Sequence, residues 1–323
     1  MTRSSHRGGV VHKVLVTDYT WADTKIEEAV LADVGAELVK AETGDEGELV
    51  ELVRDCAGLL TCFKQVTDAV IRAGERLKVV GRYGIGTDNI AVATATELKI
   101  PVTNVPEYCS DEVAEHVIAL LFGLVRGIPR YDAAVRAGNW SLATGLPTRR
   151  IAGMTLGIVG AGAIGQAVEK RALGLGMGVL IHARRSGIPL LELAARSDVV
   201  SVHIPANSET AGLIDATFLA AMKPTAYLIN CARGAVIDQP ALVEALRDGG
   251  IAGAGLDVFA PEPLPVEHPL LALDNVIATP HTAFYSEESV ANLARLASEN
   301  VAAVLAGMRP TSIVNPEIYV EAG

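Results

Sequence analysis

The chain has 323 residues, half of them hydrophobic, and a formal net charge of −11 at pH 7. That length and apolar content suit two domains, each with its own core. Basic residues gather only in short pairs such as Arg149-Arg150 and Arg184-Arg185, which argues against nucleic acid as the main partner.

The apolar stretches are broken by charge or glycine before they reach membrane-spanning length, so no membrane association is expected. No apolar leader segment precedes the first strand, and a cytoplasmic location is expected. The four cysteines, Cys56, Cys62, Cys109 and Cys231, show no paired spacing. They read as reduced thiols, and neither a metal site nor a disulfide frame is expected.

Residues 1–10 read as a disordered tail. Strands are expected at 11–17, 37–40, 58–61 and 78–80, with helices at 25–34, 45–54 and 68–73 between them. That alternation implies βαβ units on a parallel sheet. A glycine-rich loop, Gly81-Arg82-Tyr83-Gly84-Ile85-Gly86-Thr87-Asp88-Asn89, follows the last of these strands. Its amides can hold an anion such as a carboxylate. After a short strand at 101–105, Ser110 caps a long apolar helix at 111–125, suited to a buried or subunit-contact position. His116 on this helix reads as a packing residue. Residues 127–150 read as an irregular arm carrying Trp140.

A second α/β series begins near Arg150. The segment Thr155 to Gly165, TLGIVGAGAIG, runs from an apolar strand into Gly160-Ala161-Gly162-Ala163-Ile164-Gly165 and then a helical pattern. Strand, glycine turn and helix in that order suit a dinucleotide pyrophosphate held at a helix N-terminus. Further strands are expected at 178–183, 198–203, 226–230, 252–257 and 276–279, with helices at 190–196, 215–222, 239–248 and 286–305. Three polar residues follow three successive strands: Arg233, Glu262 and His281. Ligands of open α/β sheets bind beyond such strand ends. A histidine oriented by a carboxylate can transfer a proton, and an arginine can clamp a carboxylate and polarise a carbonyl.

At these residues the chain resembles the D-isomer-specific 2-hydroxyacid dehydrogenase family, over nearly its whole length. The segments that carry the resemblance are RYGIGTDNI (82–90), NVPEYCSDEVAEHVIALL (104–121), TLGIVGAGAIGQAV (155–168), SDVVSVHIP (197–205), LINCARGAVID (228–238), GLDVFAPEP (255–263) and NVIATPH (275–281). The wording of the first two is closest to the phosphoglycerate-dehydrogenase-like and C-terminal-binding-protein-like branches. The resemblance implies two doubly wound α/β domains. A Rossmann nucleotide-binding domain at 107–287 would be inserted in a flavodoxin-like substrate domain made of 1–106 and 288–323.

It implies reversible reduction of a 2-keto acid to a D-2-hydroxy acid. Arg233 would bind substrate, His281 would act as acid and base, and Glu262 would be its paired carboxylate. The N–H groups around Gly84, Ile85 and Gly86 would form the substrate-carboxylate loop, with Arg82 and Tyr83 placed to read the substrate side chain. Gly160, Gly162, Ala163, Ile164 and Gly165 would form the pyrophosphate turn. Asp257 would hold the nicotinamide carboxamide, with His203, Pro205, Thr210, Cys231 and Ala232 on the cofactor side. The arm would build a homodimer together with the long helix. Two other readings stay open: a non-enzymatic, nucleotide-sensing binder, and a dehydrogenase of an unusual phosphonate or specialised acid.

The chain departs from the family pattern where the second strand of the nucleotide domain ends. The acidic residue that would bond the adenosine ribose is replaced by Ala183-Arg184-Arg185-Ser186, and the connection to Ser197 is short. A carboxylate there would favour NAD, whereas arginines pair a 2′-phosphate. The expected cofactor is therefore NADP, with Arg184 and Arg185 at the phosphate and NAD as the alternative.

Overall fold

The computed structural model describes residues 12–145, 147–184 and 186–319. The expected tail at 1–10 lies outside the described residues. The chain divides into two compact units, one formed by residues up to Tyr108 together with those from Ser286 onward, the other by Cys109–Tyr285.

The first unit begins with β1 (His12–Val16), α1 (Lys25–Ala32), β2 (Ala36–Lys40), α2 (Glu46–Val53) and β3 (Gly58–Thr61). It continues with α3 (Asp68–Ala73), β4 (Val79–Arg82), α4 (Val92–Glu97) and β5 (Val102–Thr103). The strands are all parallel, in the order β2-β1-β3-β4-β5, which is the flavodoxin-like arrangement. β3 and β4 are buried at every residue, as expected of parallel strands covered on both faces.

The second unit contains α5 (Ser110–Arg126), α6 (Ile128–Arg136), β6 (Thr155–Val159), α7 (Ala163–Gly174), β7 (Gly178–Ala183) and β8 (Ser186–Gly187). After these come α8 (Leu190–Arg196), β9 (Val199–Val202), α9 (Ala216–Ala221), β10 (Tyr227–Asn230), α10 (Gln239–Arg247), β11 (Gly253–Leu256) and β12 (Val276–Ala278). The sheet order is β12-β11-β10-β9-β6-β7-β8, parallel except for β8. Strand order therefore reverses at β6, as in a Rossmann domain. Leu193, Val200, Phe218, Leu228 and Leu242 are fully buried in one cluster, each stabilising the unit by about 1.5–3 kcal/mol. The chain then returns to the first unit with α11 (Glu287–Leu305), which Ser286 and Ser289 start with a reciprocal capping box.

One expectation is corrected, and another is met in one of its two forms. The stretch 127–150 is not irregular throughout, because α6 occupies its first part. Gly127, at φ +62°, ends α5 and caps α6, and Pro129 sits in the first turn of α6. Ile128, Tyr131 and Val135 keep a helical spacing that the Gly-Ile-Pro break conceals. The apolar face of α5, expected in a buried or subunit-contact position, takes the buried one. Val113, Val117, Leu120, Leu121 and Leu124 are buried, and α5 packs on α7, β10, β11 and β12 of its own unit. In this region the exposed apolar side chains are those of α6 and the arm, Ile128, Val135, Trp140 and Leu142, the tryptophan 89% exposed.

Candidate active site

β6 ends where the strand order reverses, with β7 on one side and β9 on the other, the position where open α/β sheets bind ligands. Gly160 leaves the strand at φ +110°, and a Cβ there would lie 2.4 Å from the His203 carbonyl oxygen. A Cβ on Gly165 would lie 2.2 Å from the Gly160 carbonyl oxygen, so turn and helix touch through backbone. A Cβ on Gly162 would meet nothing within 4 Å. The turn is thus tight on its inner side and open at Gly162. No side chain caps α7, so its first amides, at Ala163, Ile164 and Gly165, remain to be satisfied from outside. An open face, unclaimed amides and a positive helix end fit a dinucleotide pyrophosphate.

The loop after β9 is closed by its own side chains. The Thr210 hydroxyl donates to the Pro205 carbonyl at 2.6 Å. Asn207 Oδ1 accepts the amides of Glu209 and Thr210 at 2.9 and 3.1 Å. Thr210, expected on the cofactor side, therefore uses its hydroxyl to fold the loop. His203 lies 2.8 Å from Ser201 Oγ, and burial brings its imidazole down to about 4, so the ring is neutral at pH 7. Cys231 is buried, which pushes its thiol well above the ordinary value. Ala232 donates its amide to Asn230 Oδ1 at 3.0 Å.

At the end of β7 the chain folds straight back. His182 pairs with Gly187 and Ala183 with Ser186 in an antiparallel hairpin, and His182 Nδ1 lies 2.8 Å from the Ile188 carbonyl. This hairpin accounts for the short connection after β7. Arg184 is the first residue past the strand, and its guanidinium forms an ion pair with the Glu209 carboxylate. Arg185 lies outside the described residues.

β10, β11 and β12 are neighbours in the sheet, so the residues that follow them emerge side by side. Buried Asn230, at the end of β10, accepts the Ala232 amide and donates to the Arg233 carbonyl at 2.9 Å. That bracket fixes the turn from which the Arg233 side chain leaves, and Arg233 Nη1 donates to the Ala232 carbonyl at 2.8 Å. Glu262 Oε1 accepts the Phe259 amide and Oε2 lies 2.8 Å from His281 Nδ1. Burial pushes the Glu262 carboxyl up, but the bond and charge of His281, the Phe259 amide and the Arg233 charge together bring it below its ordinary value. The carboxylate is ionised at neutral pH. It accepts from Nδ1–H, which fixes the tautomer and the orientation of the His281 ring.

His281 is one of two non-glycine residues with positive φ among the described residues, at +55°. The strained turn is folded around Asp257, which is 0% exposed. Asp257 accepts the His281 amide on its main-chain oxygen at 2.7 Å. Its Oδ1 accepts the Thr279 hydroxyl at 2.6 Å and the Thr282 amide at 2.9 Å, and its Oδ2 accepts the Ala283 amide at 2.9 Å. The expected contact with a carboxamide is corrected, because this carboxylate has no exposed oxygen and is committed to the histidine turn. His116 is corrected as well. Its Nε2 lies 3.0 Å from Thr279 Oγ1 and 3.7 Å from Asp257 Oδ1, so it is polar-bonded and brings the imidazole nearest to the buried carboxylate. Asn230, Asp257, Thr279 and His116 are positioning residues that spacing alone did not expose, although three of them lie inside the quoted motifs beside the reacting residues.

In the other unit, the loop after β4 departs from expectation at two side chains. Arg82 is buried and donates Nε to the Gly86 carbonyl at 2.9 Å, with Nη1 on the Tyr83 carbonyl. Tyr83 is 1% exposed, with its hydroxyl 3.3 Å from Glu27 and its ring edge-on to Trp21. Both side chains build the loop from within, and neither is presented to a substrate. Gly84, at φ +144°, allows the loop to wrap the Arg82 guanidinium, which lies 3.1 Å from where a Cβ would stand.

Among the described residues no helix is long and apolar enough to cross a membrane, and no three His, Cys, Asp or Glu side chains are placed to hold a metal.

A family model described as D-isomer specific 2-hydroxyacid dehydrogenase, NAD binding domain, matches residues 118–283. A glyoxylate reductase of Korarchaeum cryptofilum is 41% identical over 285 residues, 84% of this chain and 86% of that one. The structure of an NADPH-dependent glyoxylate/hydroxypyruvate reductase of Sinorhizobium meliloti, in complex with NADP and malonate, is similar at 30% identity. Its TM-score is 0.83, with 94% of this chain and 97% of that one covered. A D-lactate dehydrogenase of Aquifex aeolicus, complexed with NAD and lactic acid, is similar at 28% identity with a TM-score of 0.85, covering 94% and 99%. Paired histidine and glutamate, an arginine beside them and a dinucleotide turn on a Rossmann sheet agree with these matches: the chain belongs to the D-isomer-specific 2-hydroxyacid dehydrogenase family, nicotinamide-dependent oxidoreductases that interconvert 2-keto and D-2-hydroxy acids.

Proposed function

We propose that this chain reduces a small 2-keto acid, of the glyoxylate or hydroxypyruvate class, and prefers NADPH. The observation that carries the reading is the 2.8 Å bond between Glu262 Oε2 and His281 Nδ1 beyond the ends of β11 and β12. When bound, the nicotinamide supplies the hydride that reduces the carbonyl carbon. Glu262 holds the His281 ring and stabilises its charged form. Nε2 of His281 delivers the proton to the oxygen that becomes the hydroxyl, and recovers it in the reverse direction. Arg233 binds the carboxylate and the carbonyl oxygen of the substrate, where its charge stabilises the developing alkoxide. The small substrate class is taken from the reductases to which the chain is similar.

The cofactor preference rests on the end of β7, where the strand itself supplies no carboxylate and Arg184 stands. A cytoplasmic setting agrees with four buried cysteines, none of them in a disulfide among the described residues. The exposed apolar side chains of α6 and the arm suit a homodimer, which light scattering at micromolar concentration checks. His281→Ala should lower kcat on glyoxylate or hydroxypyruvate by about 10²–10⁴-fold. Retention of full kcat on the best 2-keto acid of a panel would sink the assignment.

A further inference from the structure

The carboxylate that β7 lacks at its end is present at the same place from another part of the chain. The loops that follow β7 and β9 flank β6 on its two sides, and the glycine turn lies between them. Arg184 comes from the first loop and Glu209 from the second, and their ion pair joins the two. Glu209 is not on a loose loop. Its own amide and that of Thr210 are held by Asn207 Oδ1, and the Asn207 amide donates to Thr210 Oγ1 at 2.9 Å. Both charged side chains are mostly exposed, at 73% and 69%. The pair is therefore weak as a stabilising contact and open to a ligand.

We propose that Glu209 is a specificity-determining residue that limits the preference for NADPH, and that the Arg184–Glu209 pair makes the chain tolerant of both cofactors. The inference rests on the cofactor reading of Arg184 given above. A 2′-phosphate is drawn to the Arg184 guanidinium but meets the Glu209 carboxylate beside it, and it must displace that carboxylate or share the cation with it. A 2′-hydroxyl meets no such conflict, because it donates to Glu209 while Glu209 keeps its pair. Replacing the carboxylate with an amide removes the repulsion and frees Arg184 for the phosphate. The loop stays folded, since its bonds to Asn207 use the main chain of residue 209.

The test compares wild type, Glu209→Gln and Arg184→Ala. Adenosine 2′,5′-bisphosphate and AMP are titrated into each protein by calorimetry, and kcat/KM is measured with NADPH and NADH. Glu209→Gln should bind the bisphosphate about tenfold more tightly, a size expected of one like-charge contact at an exposed site. Its binding of AMP should not rise, and its NADPH/NADH ratio of kcat/KM should increase to a similar extent. Arg184→Ala should weaken the bisphosphate. If Glu209→Gln leaves both ratios unchanged while Arg184→Ala weakens the bisphosphate, the role of Glu209 is overturned and the NADPH reading stands. If Arg184→Ala leaves bisphosphate binding unchanged, the cofactor reading falls and the role of the pair falls with it.

Discussion

Asp257→Asn is the substitution that best tests how the histidine turn is held. The carboxylate has two acceptor oxygens serving three donors: the Thr279 hydroxyl and Thr282 amide on one, the Ala283 amide on the other. Asparagine has one such oxygen. Whichever way its amide is turned, an NH₂ group faces a donor, and at least one buried N–H or O–H loses its partner. Leaving one buried group unsatisfied costs about 1–3 kcal/mol, and a unit of this size loses about 2–4 °C of Tm per kcal/mol. The transition of the second unit should therefore fall by about 2–12 °C in a calorimetric scan. The His281 amide hangs on the same residue, so the ring should shift and kcat should drop, by about 10–100-fold for a displacement near 1 Å. KM for the nicotinamide cofactor should hold within about twofold, because the enclosed carboxylate does not reach it. Unchanged kcat with a raised cofactor KM would refute this reasoning and return Asp257 to direct contact with the cofactor.

Gly162→Ala should fold as the wild type does, since its Cβ meets nothing within 4 Å, yet weaken cofactor binding about tenfold or more by filling the open face of the turn. Gly165→Ala should instead lower Tm, because its Cβ lies 2.2 Å from the Gly160 carbonyl; equal melting of the two variants by circular dichroism would contradict the picture. His203 gives a pH test. Its imidazole titrates near 4 in the folded chain against an ordinary 6.5, so between those values the unfolded chain binds more protons and stability falls as pH falls. The loss from pH 7 to pH 5 should be about 2 kcal/mol. It should show as a drop in urea midpoint that is smaller in His203→Asn, and an identical drop in both proteins would exclude this histidine as the cause.

Most strands and helices were legible from the sequence because parallel strands buried on both faces are largely apolar, as Gly58–Thr61 and Tyr227–Asn230 are up to their last residue. Position after strands also singled out Arg233, Glu262 and His281, and the glycine turn declared itself by the strand and helix around it. What stayed hidden depends on contacts between residues far apart in the chain. Tyr83 sits in a loop that suits an anion, but its side chain turns into the core beside Glu27, 56 residues away in sequence. Arg184 and Glu209 are 25 residues apart, and nothing in either segment announces the pair. His116 looked like a packing residue because its helix neighbours are apolar, while its partner Thr279 is 163 residues on. Helix α6 was concealed by the glycine and proline at its start, which read as a loop until the later spacing is weighed.

The two units also differ in when they can be completed during synthesis. The second is a continuous stretch, Cys109–Tyr285, and can close its sheet once Tyr285 has left the ribosome. The first cannot, because α11 supplies Leu293, Ala297 and Val301 to the cluster that buries Val14, Leu60 and Val79. Those strands emerge early and wait uncovered while the intervening unit is translated, an interval of about 10–40 s at ordinary elongation rates. For that time one apolar face of β1, β3 and β4 is open to the wrong partner. A nascent chain of this design therefore depends on chaperone cover over its first hundred residues more than its finished stability would suggest.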